Sequence, residues 1–319
     1  MKILKTVIAL CLVLTSINTS AQDCPDDDRF TNAEYFKSTQ IDSIINAKYG
    51  NSVNFAGESQ DLFMDFYFPK NDEDSMQKRP FILLIHGGGF KRGTKELMAY
   101  ECKEFARRGF VTATMSYRLG FDTQNMADAA NAVYRAQQDA NNALRYMITQ
   151  AEALNIDTSL VFLGGTSAGA ITSNFVALAN QEEWNKVLPP IEGNLGPLEA
   201  VNDITIQGVF NNVGSIMPFA LWEGEMVPTI SFHGDNDMTV PIDNSLMTGF
   251  GSREMHKRLT QAGVCNDFTL VPGGTHGIYM DKAGFNFKIN RVACFFRSLM
   301  CDTCVDFLAE ETVPASCTD

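Results

Sequence analysis

The segment Val161-Phe-Leu-Gly-Gly-Thr-Ser-Ala-Gly-Ala170 sets one hydroxyl, that of Ser167, among residues with almost no side chain. A serine hydroxyl is a poor nucleophile at neutral pH and needs a neighbouring base to take its proton. Three other segments carry groups of the right kinds. His233-Gly-Asp-Asn-Asp237 holds two carboxylates, Gly273-Gly-Thr-His-Gly277 holds an imidazole in a glycine-rich loop, and His86-Gly-Gly-Gly-Phe90 offers bare backbone N–H groups. Imidazole can act as the general base, a carboxylate can orient it and stabilise its cation, and glycine N–H groups can approach a developing oxyanion. A single G-x-S-x-G arises easily by chance because glycine is common. The weight falls on the combination, which is that of acyl transfer through an activated serine.

His276 is the base expected here, because its loop can swing over Ser167. The other histidines read differently: His256 lies mid-helix and exposed, His86 braces the glycine loop, and His233 is a structural hydrogen bonder ahead of the acid loop. Asp235 and Asp237 both stand where the third member belongs. A nucleophile at a strand-to-helix turn also puts the Ala168 N–H at a helix start, where it can donate to a developing negative charge.

The elements needed to bring these groups together are legible as alternating strands and helices. Strands are expected at 61–68, 80–85, 110–115, 160–163, 204–211, 228–232 and 267–271, from continuous or period-two apolar patterns. Helices are expected at 94–108, 128–152, 171–179, 252–263 and 281–300; the last shows Phe285, Ile289, Val292, Phe296 and Leu299 at helical spacing. Residues 24–50 and 181–203 read as irregular. Such alternation implies an α/β fold, a mainly parallel sheet covered by helices on both faces. Ligands of such sheets bind beyond the carboxyl ends of the strands, and all four motifs fall at those ends.

Taken with their order, Ser then Asp then His, these motifs resemble those of α/β-hydrolase esterases, in the carboxylesterase and hormone-sensitive-lipase-like branch that carries an HGGG motif. The resemblance covers residues 50 to 300, and Ser116-Tyr-Arg-Leu119 and Ala136-Gln-Gln-Asp-Ala140 are also similar to family segments. It implies the α/β-hydrolase fold with little or no cap, Ser167 as nucleophile, Asp237 rather than Asp235 as the acid, and Gly88 and Gly89 completing the oxyanion hole with Ala168. Asp139 and Arg118 read as scaffold. Gly169-Ala170 departs from the Gly-Gly of many relatives, a small change.

The ends of the chain carry their own signals. Lys2 and Lys5, the apolar run Val7–Leu14 and Thr19-Ser-Ala21 have the layout of a secretory signal peptide. The expected organisation is a signal peptide over 1–21, a lead-in over 22–50, a catalytic domain over 51–300 and a cysteine-rich tail over 301–319, with a secreted or periplasmic product. Without residues 1–21 the chain has 23 basic and 38 acidic residues, a net charge of −15. That surface disfavours nucleic acid and anionic membranes as partners. The runs Asp26–Asp28 and Asn71–Asp74 read as solvated turns, with calcium binding as the alternative.

Seven cysteines remain: Cys24, Cys102, Cys265, Cys294, Cys301, Cys304 and Cys317. In an exported chain they are expected to form three disulfides with one thiol left over, stapling the C-terminus to the body. Cys301-Asp-Thr-Cys304 reads as structural rather than redox-active, and neither metal nor organic cofactor is expected.

Only residues 212–227 separate two of the expected strands, which leaves no room there for a large cap. A shallow site would admit bulky or polymer-attached esters such as acylated polysaccharide. Phe90, Trp222 and Tyr279 are candidates to line the acyl pocket, each equally suited to the core. A prolyl-oligopeptidase-type peptidase would share the triad order, and a catalytically dead esterase-like binding protein would share the fold. Cleavage of a dipeptide anilide or failure to cleave a short p-nitrophenyl ester marks each alternative.

Overall fold

The computed structural model describes residues 24–309 except 124, 189–192, 197–203, 222–225 and 247. The first strands are β1 (Ile41–Val53), β2 (Ser59–Pro69), β3 (Arg79–Ile85), β4 (Val111–Met115), β5 (Ile156–Thr166) and β6 (Ile206–Asn212). They are followed by β7 (Ser215–Ile216), β8 (Thr229–Gly234), β9 (Asn244–Ser245), β10 (Gly249–Gly251), β11 (Asn266–Val271) and β12 (Phe307–Ala309). Between them run α1 (Ala99–Arg107), α2 (Met126–Gln150), α3 (Ala168–Leu178), α4 (Gln181–Val187), α5 (Ser252–Gln261) and α6 (Lys282–Met300).

The main sheet has the order β1-β2-β4-β3-β5-β6-β8-β11-β12. The β1–β2 and β2–β4 pairs are antiparallel and the others parallel. β3 shows why its sequence is apolar throughout. Phe81, Leu83 and Ile85 enter the core on one face of the sheet, Ile82 and Leu84 the core on the other. The first core is closed by α2, whose Ala132, Ala136, Ala140 and Ala143 let the helix sit close to the strands. The second is closed by Phe105 of α1 and Val292 and Phe296 of α6.

Register sets the position of the site. Ile85 pairs with Gly165, Asn212 with both Thr166 and Phe232, and Gly234 with Val271. The carboxyl ends of β3, β5, β6, β8 and β11 therefore lie along one edge, from which the motif loops emerge.

Several expectations fail locally. The irregular lead-in ends at residue 40, because β1 adds 13 residues of edge strand to the sheet. Register shifts between Ile44 and Ala47 and between Lys48 and Gly50 break the period-two pattern. The stretch from 181 begins with α4, capped by Asn180, which accepts from the Glu182 and Glu183 N–H groups while Glu183 reaches back to the Asn180 N–H. That capping box was legible as Asn-x-x-Glu. Three residues of the tail form β12, parallel to β11.

Asp74 is not solvated: its carboxylate takes a two-pronged grip from Arg29 at 2.8 and 2.7 Å, and all three of Asp74, Arg29 and Arg79 are buried. Cys24 bonds to Cys301 and Cys265 to Cys304, so the two halves of the C-x-x-C are partnered elsewhere. Cys294 is also disulfide-bonded, and buried Cys102 is the free thiol among the described residues. Such bonds persist in oxidising, extracytoplasmic surroundings. The signal peptide reading, Cys317 and Trp222 lie outside the described residues. No helix among the described residues is long and apolar enough to cross a membrane.

Candidate active site

β5 carries the chain to the sheet edge and turns straight into α3. At the turn Ser167 has φ 56° and ψ −121°, a backbone conformation that a non-glycine residue holds only when its surroundings impose it. Its N–H donates to the Asn212 carbonyl at 2.8 Å, and its own carbonyl accepts from the Ile171 N–H at 2.9 Å. The small neighbours are a packing requirement. A Cβ on Gly169 would stand 1.9 Å from the Ile85 carbonyl oxygen, so α3 meets the end of β3 with no space for a methyl group. A Cβ on Gly87 would lie 3.3 Å from that of Ser167, which sets the His86–Gly89 loop beside the hydroxyl.

His276 follows β11. Its Nε2 lies 2.8 Å from Ser167 Oγ and its Nδ1 2.7 Å from Asp237 Oδ2. A carboxylate only accepts, so Nδ1–H donates to it and Nε2 is left to accept from the serine O–H. Asp237 Oδ1 accepts from the Thr239 and Val240 N–H groups at 2.8 and 3.0 Å. Burial pushes the Asp237 pKa up, but hydrogen bonds from His233, His276 and the Val240 and Thr239 backbone outweigh it and hold the carboxyl down to about 2. The group is an anion at neutral pH. Asp235 is exposed and caps the neighbouring loop instead, accepting from the Gly273 N–H at 2.6 Å.

The other histidines have partners of their own. His86 is buried, its Nδ1 2.7 Å from the Gly87 carbonyl and its ring stacked on Tyr117 at 4.4 Å. Burial lowers its pKa and favours the neutral ring. His233 is buried between Ser252 Oγ at 2.7 Å and the Val240 carbonyl at 2.9 Å. His256 is half-buried, not exposed, because α5 packs against β11 and sets its ring 5.5 Å from Phe268. Arg118 and Asp139 form a buried pair at 2.8 Å, and Arg118 also donates to the Val53 carbonyl.

Ala168 is the first residue of α3, where N–H groups have no partner within the helix. Gly88 has φ +116°, and a Cβ there would lie 1.9 Å from the Arg92 carbonyl oxygen, so only glycine fits this turn. Phe90 is 8% exposed and packs on Tyr117 at 6.3 Å, while Tyr279 packs on Phe287 at 5.0 Å. Phe90 belongs to the core, whereas Tyr279 is only partly buried against it. Sequence reasoning passed over Asn174, Asn211 and Ser252, buried polar residues close behind the acid loop. The Asn211-Asn212 pair ending a strand that is buried from Gly208 onward was a readable sign of them.

A family model described as BD-FAE matches residues 64–217. Among curated relatives, gut esterase 1 of Caenorhabditis elegans is 28% identical over 42% of this chain and 24% of its own length. Isoprenylcysteine alpha-carbonyl methylesterase of Arabidopsis thaliana is 22% identical over 67% of this chain and 53% of its own. The chain spans only 4%, 15% and 22% of the first three curated relatives it matches. Among solved structures, apo esterase 2 of Thermogutta terrifontis aligns with TM-score 0.57 at 19% identity, over 85% of this chain and 98% of that one. Esterase B of Lactobacillus rhamnosis, inhibited by a tributyrin phosphonate, aligns with TM-score 0.58 at 18% identity, over 82% and 87%. With the sheet order above, these likenesses establish the α/β-hydrolase fold.

Proposed function

We propose that this α/β-hydrolase-fold chain is a serine hydrolase that cleaves carboxylic esters through an acyl-enzyme. The observation that carries the reading is the continuous line from Asp237 through His276 to Ser167, with both hydrogen bonds below 3 Å. Ser167 Oγ attacks the ester carbonyl while its proton passes to His276 Nε2, and the Asp237 carboxylate stabilises the resulting imidazolium. The oxyanion is received by the N–H groups of Gly88, Gly89 and Ala168, one such donor being worth about 3 kcal/mol in the transition state. His276 then hands the proton to the leaving alcohol, and a water repeats the sequence on the acyl-serine.

The named esterases among the similar proteins support an ester rather than an amide substrate. The disulfides support an exported product, as the signal-like residues 1–21 do. An extracellular location favours bulky or polymer-attached esters, acylated polysaccharide among them.

The test is hydrolysis of p-nitrophenyl acetate and butyrate beside a dipeptide p-nitroanilide, with covalent labelling by paraoxon read by mass spectrometry. Ester turnover and a single label on Ser167, both abolished in Ser167→Ala, are expected. Turnover retained in that variant, or faster anilide than ester cleavage, overturns the reading.

A further inference from the structure

We propose that His233 is a positioning residue for this reaction, holding the Asp237 carboxylate in place through a buried hydrogen-bond chain that begins on the helix of the nucleophile. The proposal rests on the ester-hydrolase reading above. The chain starts at Asn174 of α3, whose Nδ2 donates to Asn211 Oδ1 and to the Ser215 carbonyl, both at 3.1 Å. Asn211 Nδ2 donates in turn to Ser231 Oγ at 3.1 Å and Ser252 Oγ at 3.0 Å. Ser252 Oγ lies 2.7 Å from His233 Nδ1. On its far side His233 Nε2 faces the Val240 carbonyl at 2.9 Å and Asp237 Oδ2 at 3.2 Å. Asn174, Asn211, Ser252 and His233 are all 0% exposed, so water does not compete for these bonds.

The partners assign every proton. Nε2 faces two oxygens that only accept, so it carries a hydrogen and donates to both. Ser252 Oγ already accepts from the Asn211 amide, and its own proton is satisfied by donating to Nδ1. With the hydrogen on Nε2, each link has one donor and one acceptor, and every donor points from α3 towards the carboxylate.

Position explains the need. β8 ends at Gly234, and Asp237 sits beyond it on a loop whose neighbours Asp235, Asn236, Met238 and Thr239 are exposed. His233 belongs to the strand. It clamps Oδ2 from one side while His276 takes it from the other, so the acid of a surface loop is held by the buried sheet.

The experiment uses the full chain and short p-nitrophenyl esters, with kcat expressed per site titrated by paraoxon. His233→Gln carries an amide to the Nε2 position and keeps the donor to Asp237; His233→Asn reaches only the Ser252 side. A loss of kcat of roughly ten- to hundredfold at unchanged KM is expected in His233→Asn, as for a misplaced catalytic group, with most of it restored in His233→Gln. If His233→Asn does not fold, Ser252→Ala decides: a lowered kcat at unchanged KM supports the proposal, and full kcat overturns it. Wild-type kcat per titrated site in the His233 variants, or an equal loss in the Gln and Asn forms, overturns it as well while leaving the ester reading intact. Absence of ester turnover in the unaltered chain removes both.

Discussion

Replacing Asp237 with asparagine tests the electrostatic core of the site with little steric change. Oδ1 keeps its hydrogen bonds from the Thr239 and Val240 N–H groups at 2.8 and 3.0 Å, and His233 Nε2–H, which loses Oδ2, still has the Val240 carbonyl at 2.9 Å, so the asparagine is oriented with its NH₂ in place of Oδ2. That NH₂ then faces His276 Nδ1 at 2.7 Å. Nδ1 must become an acceptor, the ring proton moves to Nε2, and a proton rather than a lone pair points at Ser167 Oγ across 2.8 Å. The base is switched off without moving an atom of the nucleophile. In the chymotrypsin-type triad this exchange lowers kcat by about 10⁴, roughly 5.5 kcal/mol of barrier, and the same order is expected here. KM should stay near its wild-type value, because Asp237 is buried on the far side of His276 from Ser167. Steady-state hydrolysis of p-nitrophenyl butyrate, with circular dichroism to confirm folding, measures both. A folded Asp237→Asn enzyme whose kcat lies within about tenfold of wild type would refute the assigned tautomer and the role of the acid.

Other expectations concern the scaffold. Asp74→Ala strands the buried guanidinium groups of Arg29 and Arg79 and should cost about 3–5 kcal/mol in urea unfolding; a loss below about 1 kcal/mol would contradict a buried pair. Reduction opens Cys24–Cys301 and Cys265–Cys304, which close separations of 277 and 39 residues. Chain entropy sets upper bounds of about 6 and about 4 kcal/mol on these, so a reductant should lower Tm, and an unchanged Tm would mean that the cysteines are not bonded. Burial holds Lys288 down to about 8 against the attraction of Glu101. A lowered lysine pKa means that the unfolded chain binds more protons from about pH 8 to about 10.5, so this group makes stability rise with pH across that window, by up to about 3 kcal/mol. Lys288→Met should flatten the rise measured by urea midpoints at the two ends, and an equal slope in both proteins would show that Lys288 titrates normally.

Legibility followed the range of the forces involved. Buried strands declared themselves because both faces must be apolar, and the nucleophile turn because only small residues fit where α3 meets β3. β1 was hidden by its bulges and its half-solvated edge position, and β12 by its length of three residues. His256 looked exposed because a charged helical stretch does not reveal which of its faces lies on a strand.

Alone, the sequence determined which groups stand at successive strand ends: a hydroxyl, an imidazole, a carboxylate and bare N–H groups, each recognisable from its own few residues. The resemblance already favoured Asp237 over Asp235, but the residues alone left both open, and the physical reason lies in the tertiary structure. The pairing of β8 with β11 hands Asp235 to the Gly273 N–H and leaves Asp237 for His276. The cysteine partners and the buried line from Asn174 to His233 were settled the same way, because they join residues tens to hundreds of positions apart whose proximity no local pattern encodes.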